Sequence, residues 1–155
     1  MDPAADPLFF SARWRVRSYE LDQNGHVNNA VYLNWAEEIA TEHAEAAGYG
    51  RAWSIARGGG WLIRKSEIVH HRPAVYDDQV EVSVRVERVR GVRAVRHTWI
   101  RRAADSTLLA EVTTEWVWVR LRDGRPAPVP AELLQAAAEA NKKAGGNPAG
   151  SRKSG

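Results

Sequence analysis

Between Arg13 and Tyr19 apolar and polar side chains alternate, with Trp14 and Val16 set among Arg13, Arg15 and Arg17. A period of two marks a half-buried strand. Residues 1–10 before it read as a loose lead-in. The strand runs into Glu20-Leu21-Asp22-Gln23-Asn24-Gly25, a cluster of turn formers. The period then changes. Val31, Trp35 and Ile39 recur at four-residue steps, and Leu33, Ala36, Ala40, Ala44 and Ala47 widen the apolar stripe. That pattern predicts a helix, capped at its start by Asn28 or Asn29 and stopped by Gly48. A wide stripe with several small residues suits a helix held closely against a sheet.

Gly58-Gly59-Gly60 breaks the chain, and period-two patterns follow. Trp61 to His71 predicts a second strand, ended by Pro73. Val80, Val82, Val84 and Val86 alternate with Glu81, Ser83, Arg85 and Glu87 to give a third. Val92 to Arg102 is the fourth. Leu108 to Leu121 is the fifth, with Ala110, Val112, Thr114, Trp116 and Trp118 on one face. Pro126, Pro128 and Pro130 lead into a short helix over Ala131 to Asn141. Gly91 and Ala104-Asp105-Ser106 are short links, so the last three strands are expected to form an antiparallel meander. One strand, one long helix and four further strands predict an α+β fold with the helix lying across the sheet.

A length of 155 residues fits one domain with its own core. That domain is expected over residues 1–141, and the Gly- and Lys-rich residues 142–155 are expected to be a disordered tail. The chain has no Cys. This excludes a disulfide scaffold, a Cys-ligated metal and a thiol nucleophile. No apolar run approaches the roughly 18 residues of a membrane span, so no membrane partner is expected. Met1 to Asp6 lacks a hydrophobic signal core, which points to a cytoplasmic location.

The isoelectric point of about 9.5 raises the question of nucleic acid. However, 22 basic residues face 19 acidic ones with the signs interleaved. Four of the cations, Lys142, Lys143, Arg152 and Lys153, fall in the tail, and no nucleic-acid motif is present. Nucleic acid is therefore not the expected partner. An acidic small ligand is compatible with the charge.

The densest polar cluster is Asp22-Gln23-Asn24-Gly25-His26-Val27-Asn28-Asn29, at the junction of a strand and a helix. A helix N-terminus presents free N–H groups and a partial positive charge, which can hold an oxyanion. Gly25 permits close backbone approach. Asp22, Asn24 and His26 add a carboxylate, an amide and an imidazole, the parts of an acyl-transfer site. The plainer reading of the same residues is a loop of Asx turns followed by a helix cap.

Other candidates carry less. His70 and His71 are strand neighbours and are expected to point to opposite faces, so they make no metal pair. Neither a Ser nucleophile elbow nor a phosphate-binding loop is present. Glu67 lies among Ile63, Ile68 and Val69 and faces either a cleft or solvent.

Asp22 to Asn29, followed by Tyr32 and Trp35, resembles the hotdog-fold thioesterases of the 4-hydroxybenzoyl-CoA thioesterase superfamily. The stretch is also similar to that of plant acyl-ACP thioesterases. A second stretch, from Ser66-Glu67 through His71-Arg72-Pro73-Ala74 to Asp77-Asp78, resembles the family's second strand and following turn. The likeness covers roughly residues 12–121. It implies a long helix wrapped by a five-stranded antiparallel sheet, in a homodimer or homotetramer with sites at the subunit interface. It implies Asp22 as the carboxylate that attacks a thioester or activates water, with the Asn29 N–H as oxyanion donor beside Gly25. Asn24, His26 and Glu67 match assisting positions. The implied substrate is an acyl-CoA or an acyl carrier protein thioester, with no metal or other cofactor required. The alternatives are a relative that binds acyl thioesters without hydrolysing them and a dehydratase relative. The carboxylate in the Asp-x-x-Gly-His slot speaks against the dehydratase.

Overall fold

A computed structural model describes residues 6–145 of the chain. The strands are β1 (Phe9–Arg15), β2 (Gly59–His70), β3 (Gln79–Arg90), β4 (Arg93–Arg102) and β5 (Leu108–Arg120); the helices are α1 (Asn29–Ala46), α2 (Arg51–Ala56) and α3 (Ala131–Gly145). The strands form one antiparallel sheet in the order β1-β3-β4-β5-β2. β3, β4 and β5 are the expected meander, and β1 and β2 occupy the two edges.

Register explains which face is apolar. Trp14, Ala12 and Phe10 of β1 stand opposite Val80, Val82 and Val84 of β3. Val82 and Val84 in turn stand opposite Ile100 and Thr98 of β4. Because side chains alternate along a strand, these rows share one face. α1 lies across that face and buries Val31, Tyr32, Trp35, Ala36 and Ile39 against it. The architecture is the helix wrapped by a five-stranded sheet that the resemblance implies.

α1 begins where its local chemistry says it should. The Asn28 side chain accepts the Ala30 N–H at 2.9 Å, so Asn28 is the cap and Asn29 the first helical residue. Other boundaries depart from the expectation. β1 starts at Phe9 rather than Arg13, so part of the supposed lead-in is strand, paired through Phe10 with Val84. Ser18–Glu20 is a short 3-10 turn rather than the end of that strand. α2 is too short to show a helical period. It stands because Trp53 packs edge-on against Tyr49 and Trp118. α3 continues past Asn141 through Lys142 and Lys143 to Gly145, and the remainder of the expected tail, residues 146–155, lies outside the described residues.

A second, smaller core joins α2 and α3 to the sheet. Trp118, Ala127 and Val129 are buried there, with Trp53, Trp61, Leu133 and Leu134 packed around them. Gly59 lies so close to the Trp118 ring that any side chain at that position would run into it. No helix among the described residues is long and apolar enough to cross a membrane.

Candidate active site

The loop from Glu20 to Asn28 is built as a clamp on Asp22. Its Oδ1 accepts the N–H of Asn24 at 2.8 Å and the N–H of His26 at 3.1 Å. The Asp22 N–H donates to the His26 carbonyl at 2.7 Å, and the Gly25 N–H donates to the Asp22 carbonyl at 3.2 Å. Gly25 has φ of +78°, the left-handed backbone that closes this turn and that side-chain-bearing residues rarely adopt. Its N–H is thus used within the loop, and its contribution is conformational. Asp22 Oδ2 has no partner among the described residues, and neither does the Asn29 N–H at the head of α1.

The loop is fixed from below and from the side. Glu20 is only 7% exposed. Its carboxylate accepts the Arg17 N–H at 2.8 Å and the Trp35 indole N–H at 3.1 Å. The Glu20 carbonyl accepts the Asn28 N–H at 2.8 Å. Glu20 therefore ties the loop's entry, its exit and α1 together. Beside it runs the turn after β2. The Val27 N–H donates to the Ala74 carbonyl at 2.9 Å, and His26 bridges to Val75. The Ala74 N–H donates to the Tyr32 hydroxyl at 3.1 Å. Burial pushes the Tyr32 hydroxyl above its ordinary value. Asp78 closes the turn by accepting the Val75 N–H at 3.0 Å and pairing with Arg102 at 3.3 Å. The two stretches that carry the family resemblance are thus side by side.

The other candidate residues divide. The Asn24 and His26 side chains are exposed, and only the backbone of each holds Asp22. Glu67 does not join the group within one chain. It stands opposite Thr113 on the face of the sheet turned away from α1, and it is exposed. The cause is a register shift in β2 between Ile63 and Lys65. Ile63 and Ile68 both stand opposite inward residues, Trp116 and Val112, although they are an odd number of positions apart. The bulge turns Ile68 inward and Glu67 outward. His70 and His71 diverge. His70 packs edge-on against Tyr32. His71 hydrogen-bonds Glu111 at 2.9 Å, and Glu111 also bonds His97 at 2.9 Å. Sequence reasoning did not single out Glu20 or Tyr32 as anchors, because burial of the one and the partner of the other arise from distant residues.

Comparisons with known proteins bear on the family and the fold. The model of the thioesterase-like superfamily matches residues 16–137. The chain is 25% identical over 121 residues to the long-chain acyl-CoA thioesterase FadM of Escherichia coli, covering 78% of this chain and 91% of that protein. It is 24% identical over 135 residues to a chloroplastic palmitoyl-acyl carrier protein thioesterase of Cuphea hookeriana, covering 83% of this chain. The matched region spans 32% of that plant protein's length. Among solved structures, an oleoyl thioesterase (putative) from Lactobacillus plantarum superposes with a TM-score of 0.77 at 26% identity, covering 82% of this chain and 49% of that one. A 1,4-dihydroxy-2-naphthoyl-CoA thioesterase from Synechocystis superposes with a TM-score of 0.76 at 20% identity, covering 84% and 96%, and shares the hotdog fold. The chain belongs to the thioesterase-like superfamily.

Proposed function

We propose that the protein hydrolyses acyl thioesters of CoA or of an acyl carrier protein, with Asp22 as the reacting carboxylate. One observation carries this reading. Asp22 is held through Oδ1 by two backbone N–H groups while its Oδ2 has no partner among the described residues, and seven residues on, at the start of α1, the Asn29 N–H also has none. The free N–H and the helix dipole suit an oxyanion, and the free carboxylate oxygen suits a base or nucleophile.

In the water route, Oδ2 takes a proton from water as the water oxygen bonds to the thioester carbon. The carbonyl oxygen becomes an oxyanion facing the Asn29 N–H. Collapse breaks the carbon–sulfur bond, the departing thiolate takes the proton back from Asp22, and a carboxylic acid and a thiol leave. In the nucleophile route, Oδ2 itself bonds to the carbon and expels the thiolate, and water then cleaves the resulting anhydride. The exposed Asn24 and His26 side chains orient the water or the substrate in either case. Glu67 assists only if a second copy of the chain brings it to the site, and we propose a homo-oligomer with the site at its interface.

Thiol release from a panel of acyl-CoA and acyl carrier protein thioesters tests the reading. Turnover with at least one class is expected. Binding of an acyl-CoA without thiol release would instead establish a non-hydrolytic acyl-thioester-binding protein.

A further inference from the structure

The far end of α1, together with α2, α3 and the sheet, lines a solvent-open cavity of about 1040 Å³. Ala40 is already about 16 Å along the helix from Asn29 at 1.5 Å per residue, so this cavity is distinct from the Asp22 loop within one chain. Its walls are apolar and aromatic, including Trp61, Trp116, Val86, Val89, Leu133 and Ala137.

One residue breaks the pattern. Arg96 of β4 stands opposite Val86 and Thr114, in the inward row that also holds the buried Ala94, Thr98 and Ile100. Its side chain is half-buried, and it lines the cavity. Burial pulls it down to about 10, so it is still a cation at neutral pH. Its hydrogen-bond partner among the described side chains is the Nδ1 of His43, at 3.0 Å. The His43 Nε2 donates to the Pro7 carbonyl at 2.9 Å, which leaves Nδ1 as a neutral acceptor.

No carboxylate among the described residues forms an ion pair with Arg96. The other charged residues of the cavity, Glu45, Arg51, Glu139 and Lys143, are all exposed, two of each sign. A guanidinium offers five N–H donors, and the bond to His43 Nδ1 uses one of them. The missing complement is an anion that arrives with an apolar body.

We infer that this cavity binds an alkyl chain ending in a carboxylate, with Arg96 taking the carboxylate and the tryptophan-lined walls taking the chain. Such a group exists as a free fatty acid or as the acid-terminated acyl group of a thioester. The inference does not rest on Asp22 being catalytic, since its principal readout is binding.

The test is titration of the full chain with dodecanoate and with dodecanol, read by tryptophan emission, because Trp61 and Trp116 line the cavity. Saturable binding is expected, at least tenfold tighter for the acid. Arg96→Met is expected to lower dodecanoate affinity to that of the alcohol and to leave the alcohol's affinity unchanged. Equal affinities for acid and alcohol in the unaltered chain, absence of saturable binding, or full dodecanoate affinity in Arg96→Met would each overturn the proposal. Should Arg96→Met fail to fold, the acid–alcohol comparison decides alone. The source of the carboxylate is read from kinetics on the unaltered chain. A lower KM for the CoA monothioester of dodecanedioic acid than for dodecanoyl-CoA assigns the site to the substrate's acyl end. Equal KM values, with dodecanoate bound but not competing, assign it to a free acid. Loss of hydrolysis with binding intact would count against the Asp22 reading alone.

Discussion

Asp22 and His26 are bonded to each other in both directions: the Asp22 N–H donates to the His26 carbonyl at 2.7 Å, and the His26 N–H donates to Asp22 Oδ1 at 3.1 Å. This closed ring aims one carboxylate oxygen and spends the other. Asp22→Asn keeps a side-chain oxygen to accept the Asn24 and His26 N–H groups, so the loop is expected to survive. The anionic oxygen is gone, and kcat is expected to fall by about 10²–10⁴-fold or more. Asp22→Ala removes the ring's side-chain acceptor as well and is expected to lower the melting temperature further than Asn does. A kcat within a few-fold of the parent in Asp22→Asn would show that Asp22 merely shapes the turn.

His26 serves the loop with its backbone alone, a service any residue but proline supplies. His26→Ala is therefore expected to change stability by no more than about 0.5 kcal/mol. A drop in kcat without a drop in melting temperature would assign the imidazole to the reaction. A fall in both would contradict the backbone-only role in the fold.

Glu20 is the buried anchor under the loop. Glu20→Ala strands the Trp35 indole N–H and the Arg17 N–H, both of which now donate to its carboxylate. A loss of about 2–3 kcal/mol is expected, or roughly 5–10 °C in melting temperature for a chain of this size. Glu20→Gln, which keeps an acceptor, is expected to lose less. Thermal unfolding of the two variants side by side checks the order.

His43 makes stability depend on pH. Burial, reinforced by the adjacent Arg96 charge, holds its imidazole below the ordinary value near 6.5, against the opposing bond to the Pro7 carbonyl. The folded value is depressed, so the unfolded chain takes up the proton first. The contribution of His43 is complete above about pH 6.5 and is lost as the pH falls through the folded value. Melting temperature is expected to decline between pH 7 and pH 5, and His43→Gln is expected to flatten that decline. Parallel slopes for parent and variant would remove His43 as the cause.

β2 is an edge strand, and Leu62 and Val69 on its outer face are 57% and 52% exposed. Exposed apolar side chains on an unpaired edge favour association. Sedimentation at micromolar concentration is expected to show a dimer or a larger homo-oligomer. Leu62→Glu together with Val69→Glu is expected to weaken it, and a monomeric parent would refute the expectation.

What the sequence by itself determined are the features written in neighbouring residues. The four-residue recurrence of Val31, Trp35 and Ile39, with Asn28 before it, defines α1. The valines of β3 define a strand in the same local way, and Asp22, Gly25 and the two asparagines define the loop, because caps, turns and periods act over a few positions. Other features depend on distant residues. β1 reaches back to Phe9 because Val84 and Arg85 of β3 pair with it. α2 exists because Trp53 finds Trp118. Counting alternate residues from the inward Ile63 would put Glu67 on the inner face. The bulge between Ile63 and Lys65, fixed by pairing with β5, puts it on the outer one. Arg96 is one of many arginines in the sequence, and its place beside His43 in a cavity lined by α1, α2, α3 and the sheet follows from the packing of elements far apart in the chain. Local signals set which elements form, whereas sheet register and the burial of charge are sums over long-range contacts that only the folded chain completes.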